Sequence, residues 1–444
     1  MTKAPAEDPF AHLHEEDYAR PFEQRMALAD TLTTLAGRNI VPLDGEWRMT
    51  LDLFDEGLRQ RWFELDETPP SQWASPRDYE IEAGDLVPVP SCWNLLKPEW
   101  THFEGAAWYA RWFDWTPGGD GERVLLSFGA ANYAAHVFLN GVHLGGHRGG
   151  STPFCLEATA YLEPGRNRLQ VYIENRRRAD RVPMRHFDWF NYGGLYRETA
   201  LIRLPAIFIR SARAALTADG AAIRFAIALS DPVDGRARVE IAELGLAADI
   251  AVVAGHGEIL VRAAPQRWSP AAPRLYATRF SFAGDVVTER IGFRTLATRG
   301  TQILLNGEPV WLKGVCVHED DLETGKTTNE ADIRRRFRHA RELGCNFLRL
   351  AHYPHHELVA RIADEEGLWQ AEFYREQLRR LRAAPYVAGL AAWLLYDFRS
   401  ERRQTGFQRG FNRKGLIGAD KATKKLAFAA LAACYRALDD PGEA

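Results

Sequence analysis

From Gln302 to Ala444 the chain alternates strand-like and helix-like segments, and this stretch is only 143 residues long. Such alternation implies βα units on a parallel sheet. Val310 to Val317 is a nearly continuous apolar run, the pattern of a strand buried on both faces. Asn329 stands as a helix cap with Asp332 three residues on, and Ile333, Phe337, Ala340 and Leu343 recur at helical spacing before Gly344. Cys345 to Leu350 then reads as strand, and His355 to Glu366 as a helix stopped by Gly367. Gln370 to Leu381 reads as helix, Val387 to Leu395 as strand and Lys421 to Leu438 as helix. These are three clear units. A closed (β/α)8 barrel takes about 250 residues, and at least about 200, so this region predicts an incomplete TIM-type barrel.

Upstream the pattern is all-β. Short runs such as Val124 to Phe128, Ala135 to Leu139 and Arg168 to Ile173 are separated by Pro117-Gly118-Gly119, Asn140-Gly141, Gly145-Gly146 and Pro164-Gly165, which predicts a jelly-roll sandwich. A second set follows Pro205: Ala222 to Leu229, Ala237 to Ile241, Ile250 to Val253 and Glu258 to Val261. Its spacing fits an immunoglobulin-like sandwich. With 444 residues, more than one core is expected. The predicted plan is an N-terminal extension over 1–40, a jelly-roll domain over 41–205, an immunoglobulin-like domain over 206–298 and the truncated barrel over 299–444.

Fifty-six basic against 59 acidic residues give a formal charge of −3, so no nucleic-acid partner is expected. The runs Arg176-Arg177-Arg178 and Arg334-Arg335-Arg336 read as solvated surface. Five scattered cysteines (Cys92, Cys155, Cys316, Cys345, Cys434) form no Cys-x-x-Cys pair and read as reduced thiols. Met1 to Arg38 is polar and broken by Pro5, Pro9 and Pro21, and no apolar run is long enough to span a bilayer. The expectation is cytoplasmic residence and no membrane partner.

Several motifs together resemble glycoside hydrolase family 2, and most closely its β-glucuronidase-like branch. They are Leu43-Asp44-Gly45-Glu46-Trp47, Val87 to Asn94, Phe138-Leu139-Asn140-Gly141, Asp188 to Gly194, Leu305-Asn306-Gly307, His318-Glu319-Asp320 and Arg349 to Pro354. Near the end come Trp393 to Phe398, similar to the family's last barrel strand, and Gly410 to Gly415, which holds the Asn-x-Lys pair associated with glucuronide recognition. The resemblance implies a sugar-binding sandwich, an immunoglobulin-like sandwich and a barrel. It also implies retaining hydrolysis of O-glycosyl bonds, a β-glucuronide as the carbohydrate ligand, and no metal or organic cofactor.

The chain departs from the family at one place. Between Gly367-Leu368-Trp369 and Gln370-Ala371-Glu372 the family places several strands, one ending in an Asn-Glu general acid/base and another in the Glu nucleophile. Neither is visible, so the catalytic residues are unassigned and no hydrolysis is expected of the chain as written. The alternatives are a non-catalytic carbohydrate-binding or scaffold protein, or the product of an internally deleted gene. Open barrel edges further predict self-association into a homo-oligomer.

Retaining hydrolysis needs two carboxyl groups about 5 to 5.5 Å apart. Glu372 and Glu376 share a helical face, and Glu365 and Glu366 close a helix, so these read as solvated acids. Glu319, Asp320 and Asp397 lie past strand ends, where barrels keep their sites, but the family uses these positions for structure or substrate contact. For sugar binding, Asn412 and Lys414 alternate in a predicted extended segment and can point one way, offering an amide and an ammonium to a carboxylate; a solvent-facing basic loop is the competing reading. The resemblance places His318, Arg349, His352 and Trp393 around a sugar subsite, with rim packing, or an ion pair for Arg349, as the alternative. Asp188, in a loop with Trp189, Phe190 and Tyr192, is the favoured ligand contact from the sandwich side, the aromatics being equally suited to an interface. His352, His355 and His356 lack an acidic or cysteine partner for a metal set. Trp93, Trp108 and Trp112 read as core.

Overall fold

A computed structural model describes residues 32, 35–64, 81–367 and 387–439. The predicted helix Gln370 to Leu381, the junction at Trp369-Gln370, and Glu372 and Glu376 lie outside the described residues. The chain divides into two compact units, one built from Val41–Val182 and Tyr192–Ile202, the other from Thr31–Ile40, Pro183–Asn191 and Arg203–Ala444.

In the first unit a six-stranded antiparallel sheet runs in the order Asp85–Val89, Gly45–Asp52, Ala106–Trp115, Gly165–Glu174, Ala134–Leu139, Val142–Arg148. A four-stranded sheet, with Thr199–Leu204 and Arg123–Phe128 at its centre, forms the second layer. Side chains alternate across a strand, so Trp47, Tyr109, Val171 and Phe128 fill the core between the layers. Trp108, Phe138 and Tyr172 point from the outer face, yet they too are buried, under Leu58, Trp62 and Phe63. Burial of one such aromatic side chain contributes roughly 1.5–3 kcal/mol. Trp112 corrects the expectation of core: it is 39% exposed, because it projects near the strand end, where Arg166 lies over its ring at 4.4 Å. Arg176, Arg177 and Arg178 each pair with an acid, Asp55, Glu104 and Glu174 respectively.

The second unit opens with seven antiparallel strands in the order Ile209–Leu216, Ala222–Leu229, His256–Arg262, Leu246–Val253, Gly235–Ile241, Tyr276–Phe282, Asp285–Ile291. Residues of its first and last strands meet in one core around Phe225, Val239, Phe280 and Val287.

The βα region contributes strands β1 (Leu312–Val317), β2 (Phe347–Leu350) and β3 (Gly389–Ala392), and helices α1 (Glu330–Glu342), α2 (Glu357–Glu366) and α3 (Leu426–Asp439). The strands are parallel in the order β2-β1-β3, with Gly314 level with Phe347 on one side and Ala391 on the other. The α1 start follows its sequence signal: Asn329 and Asp332 exchange hydrogen bonds in a capping box. Gly367 ends α2 in the left-handed region at φ +65°, as its position predicts. Ile333, Phe337 and Ala340 of α1, Val359 and Ile362 of α2, and Leu431 and Tyr435 of α3 share one core with Val315 and Val317. Tyr435 also donates to the Gly314 carbonyl at 2.8 Å, which fixes α3 to β1.

Two boundaries differ from expectation. The last helix begins at Leu426 rather than Lys421, because Lys421 adopts φ +54° and is buried against Asp321, its ammonium 2.6 Å from the carboxylate. The final strand stops at Ala392, but its neighbours keep pairing, with Leu395 donating to the Cys316 carbonyl at 2.9 Å. The immunoglobulin-like sandwich and the βα region meet within this unit: Trp268 donates to the Asp364 carbonyl at 2.7 Å, and Arg294 and Arg290 pair with Asp364 and Glu365. In the second arginine run, Arg334 pairs with Glu330, Glu365 and Glu366, Arg335 with Asp332, and Arg336 donates to Thr328.

Candidate functional site

The C-terminal end of β1 presents His318, Glu319 and Asp320, and the two acids are engaged in holding loops. Glu319 is 1% exposed and accepts the His356 backbone N–H at 2.6 Å, at the entry to α2. Asp320 accepts from the Arg399 backbone N–H. Asp397, buried past the end of β3, accepts from the Lys425 ammonium at 2.6 Å and the Gly415 N–H at 2.9 Å. Charge-assisted contacts of this kind position backbone; they do not poise an acid against a nucleophile.

His318 is the centre of an aromatic corner. Its ring stacks on Phe398 at 4.4 Å and meets Trp393 edge-on at 5.4 Å, with Trp189 at 5.6 Å and His352 at 5.3 Å. Nδ1 lies 3.2 Å from the Tyr353 hydroxyl, which itself donates to the Glu319 carbonyl at 3.2 Å. A tyrosine hydroxyl has one proton. With that proton on the carbonyl, Nδ1 must be the protonated nitrogen, and Nε2 carries a lone pair. Among the described residues Nε2 is buried without a hydrogen-bond partner. Burial, and then the charges of His352, His355, Lys326 and Arg349, hold the imidazole well below its ordinary pKa, so it stays neutral. The Trp189 Nε1–H, in the same corner, is likewise buried and has no partner among the described residues. One free acceptor and one free donor in an apolar corner suit a hydroxyl, which both donates and accepts.

His352 is exposed, yet its ring lies between the indoles of Trp189 (5.2 Å) and Trp393 (5.0 Å), each within 24° of parallel. Burial and the charge of Arg349 lower its pKa. Arg349 is exposed on β2, donates to the Cys316 sulfur at 3.6 Å, and makes no ion pair among the described residues. His355 and His356 do not converge with His352: His355 Nε2 sits 3.1 Å from the Ala351 carbonyl, and His356 Nδ1 accepts from the Leu358 N–H as the cap of α2.

Beside this corner, one residue from Trp189, lies a carboxylate with an unusual number of donors, among them Ser400, two residues from Phe398. Asp188 accepts from Arg403 through Nε (2.9 Å to Oδ2, 3.1 Å to Oδ1) and Nη2, from the Ser400 hydroxyl, and from Asn412 Nδ2 at 3.1 Å. Burial acts to raise its pKa, but the Arg403 and Ser400 hydrogen bonds outweigh it and hold the carboxyl below its usual value. Asn412 is buried, its Oδ1 accepting the Lys414 backbone N–H at 3.2 Å, whereas the Lys414 side chain is exposed without an ion pair among the described residues. The expected same-side pair is thus divided, because the strand pairing of Phe411–Asn412 with Phe398–Arg399 ends at Asn412. Ser400, Arg403 and Tyr353 escaped the sequence reading. Arg402-Arg403 lies between two recognisable motifs in a basic loop, where composition alone does not single out one arginine.

A cavity of about 760 Å³ lies elsewhere in this unit, against Leu296, Leu312, Phe337, Phe347, Leu350 and Val359. Its lining is mostly apolar, with the Thr298 hydroxyl as its side-chain polar group, unlike a sugar site with several convergent polar groups.

Residues 40–205 match the glycosyl hydrolases family 2 sugar binding domain, and residues 296–376 the glycosyl hydrolases family 2 TIM barrel domain. Among similar proteins, a β-glucuronidase of Paenibacillus borealis is 28% identical over 371 residues, 76% of this chain and 59% of its own. The β-glucuronidase of Pongo abelii is 30% identical over 376 residues, 73% of this chain and 56% of its own. The chain thus spans under three fifths of the length of these curated relatives. Among solved structures, a β-glucuronidase from an uncultured Clostridium sp. aligns with TM-score 0.64 at 27% identity, over 78% of this chain and 60% of its own. A Ruminococcus gnavus β-glucuronidase in complex with D-glucuronic acid aligns with TM-score 0.77 at 18% identity, over 92% of this chain and 100% of its own, a likeness of fold.

Proposed function

Because the chain belongs to glycoside hydrolase family 2 and is β-glucuronidase-like, we propose that its second unit binds a β-glucuronide-type sugar without hydrolysing it. The observation that carries the reading is the pair of unpartnered polar atoms in the aromatic corner, His318 Nε2 and Trp189 Nε1. Lys414, exposed beside a basic loop, supplies a cation for the sugar's carboxylate. Lack of turnover is supported by the engagement of Glu319, Asp320 and Asp397 in loop contacts. Sugar recognition and bond cleavage draw on different residues, so the first can persist without the second.

Two measurements on the purified chain test the two halves. Calorimetric titration with D-glucuronate is expected to give saturable heat in the millimolar range or below, and its absence would count against binding. A p-nitrophenyl β-glucuronide assay is expected to show no release above buffer. Robust turnover by the pure chain would sink the non-catalytic half.

A further inference from the structure

We propose that Tyr353 is a positioning residue: it fixes His318 as the Nδ1–H tautomer, so that the aromatic corner takes a ligand hydroxyl in one direction only, as donor to His318 Nε2 and acceptor from Trp189 Nε1. The inference rests on the sugar-binding reading above and adds to it the residue that sets the polarity of the contact, with the selectivity that follows.

The first support is the pair of atoms that compete for the Tyr353 proton. The hydroxyl lies 3.2 Å from His318 Nδ1 and 3.2 Å from the Glu319 carbonyl. A carbonyl can only accept, whereas an imidazole nitrogen does either. Donation by Nδ1 to Tyr353, and by Tyr353 to the carbonyl, satisfies all three atoms. The reverse assignment sets the phenol oxygen against the carbonyl oxygen with no proton between them. The hydrogen bond made by one ring nitrogen decides the state of the other, so Nε2 is left as the acceptor.

The second support is how firmly Tyr353 is held. It follows β2, while His318 and Glu319 follow β1, and the two strands run parallel with Val317 level with Leu350. The hydroxyl therefore reaches across the ends of neighbouring strands. Lys326, from the segment that leads from β1 into α1, places its ammonium 3.7 Å from the centre of the Tyr353 ring, and both side chains are buried. The ring also stacks on His355 at 5.4 Å and 26°. A cation on the face of the ring is attracted to it and draws electron density from the phenol oxygen, which strengthens the O–H as a donor to the carbonyl.

The third is what the corner then selects. His318 Nε2 and the Trp189 Nε1–H are both buried without a partner among the described residues. A hydroxyl satisfies both at once. Fluorine in its place can accept from the indole but has no proton to give, and it turns a lone pair toward the lone pair of Nε2.

Proton–nitrogen correlation spectra of the ligand-free full chain with labelled histidine, His318 being assigned by its absence in His318→Phe, test the tautomer at neutral pH. The parent is expected to carry the proton on Nδ1, and Tyr353→Phe, which keeps the ring, to carry it mostly on Nε2. A proton on Nε2 in the parent would overturn the proposal, as would a proton kept on Nδ1 in Tyr353→Phe. Calorimetry with D-glucuronate and its deoxyfluoro analogues, substituted in turn at carbons two, three and four, tests the selectivity. One analogue is expected to bind the parent about tenfold more weakly than glucuronate, and Tyr353→Phe to close most of that gap; a gap that stays as wide overturns the inference. Should Tyr353→Phe not fold, the parent's own tautomer decides. Heat from none of the sugars would overturn the sugar-binding reading, while the spectra of the ligand-free protein still decide the role of Tyr353.

Discussion

At the scale of single residues, function in this chain turns on which polar atoms are left without partners. Glu319 and Asp397 stand past strand ends, where barrels keep their sites, and each is buried and spent on backbone or on Lys425. His318 is different, since its Nδ1 is committed to Tyr353 while Nε2 is buried with no partner among the described residues. Replacing it by Phe keeps the stacking on Phe398 and removes the acceptor. One neutral hydrogen bond contributes about 0.5–1.5 kcal/mol, so His318→Phe should weaken glucuronate binding roughly three- to tenfold with little change in melting temperature. Titration calorimetry beside a thermal melt checks both parts. His318 could be picked out from its motif and its place at a strand end. Its tautomer could not, because that depends on Tyr353, thirty-five positions away.

At the scale of elements, local signals held wherever the chain closes its own hydrogen bonds. The capping box of α1 and the glycine stop of α2 involve neighbours a few residues apart, and such geometry is written in residue type and spacing. Removing the α1 cap with Asn329→Ala should cost about 1 kcal/mol of stability, seen as a lower urea midpoint at unchanged slope. Misplaced boundaries were those set by distant partners. The α3 start moved to Leu426 because Lys421 is drawn inward by Asp321, a hundred residues upstream, and burial lowers that ammonium's pKa to about 8. Trp112 and Trp108 share a strand and a face, yet only one is covered; the covering segment, not the strand, makes the difference.

For the whole molecule, buried histidines set the response to acid. Burial, and then His143 and Arg148, push His136 down to about 3, and His318 shifts the same way. Both are neutral when folded and take up protons near pH 6.5 when unfolded. Their contribution to stability is therefore whole above about pH 7 and is lost progressively as pH falls below 6.5, for His136 down toward 3. By pH 4.5 the loss from His136 alone is about 3 kcal/mol, so denaturant midpoints measured across this range should fall steeply with acid. A second prediction concerns assembly. Among the described residues β2 and β3 are both sheet edges, and the apolar cavity reaches Leu350 on β2 and the exposed Leu296. Sedimentation should show a mass that rises with concentration, and a monomer at all concentrations would contradict it.

By itself the sequence determined the kinds and order of the layers, two β-sandwiches followed by βα units, since strand alternation, turn residues and helix caps are short-range properties. Motifs further determined the family and the strand ends where His318, Trp393 and Asn412 stand. What only the tertiary structure decided is who satisfies whom. Asp188 and Arg403 are 215 residues apart, and their ion pair ties the loop that carries Trp189 to the basic loop that carries Ser400 and Asn412. A hydrogen bond or ion pair across that separation depends on how the chain packs, and packing is not encoded in any window of residues short enough to read.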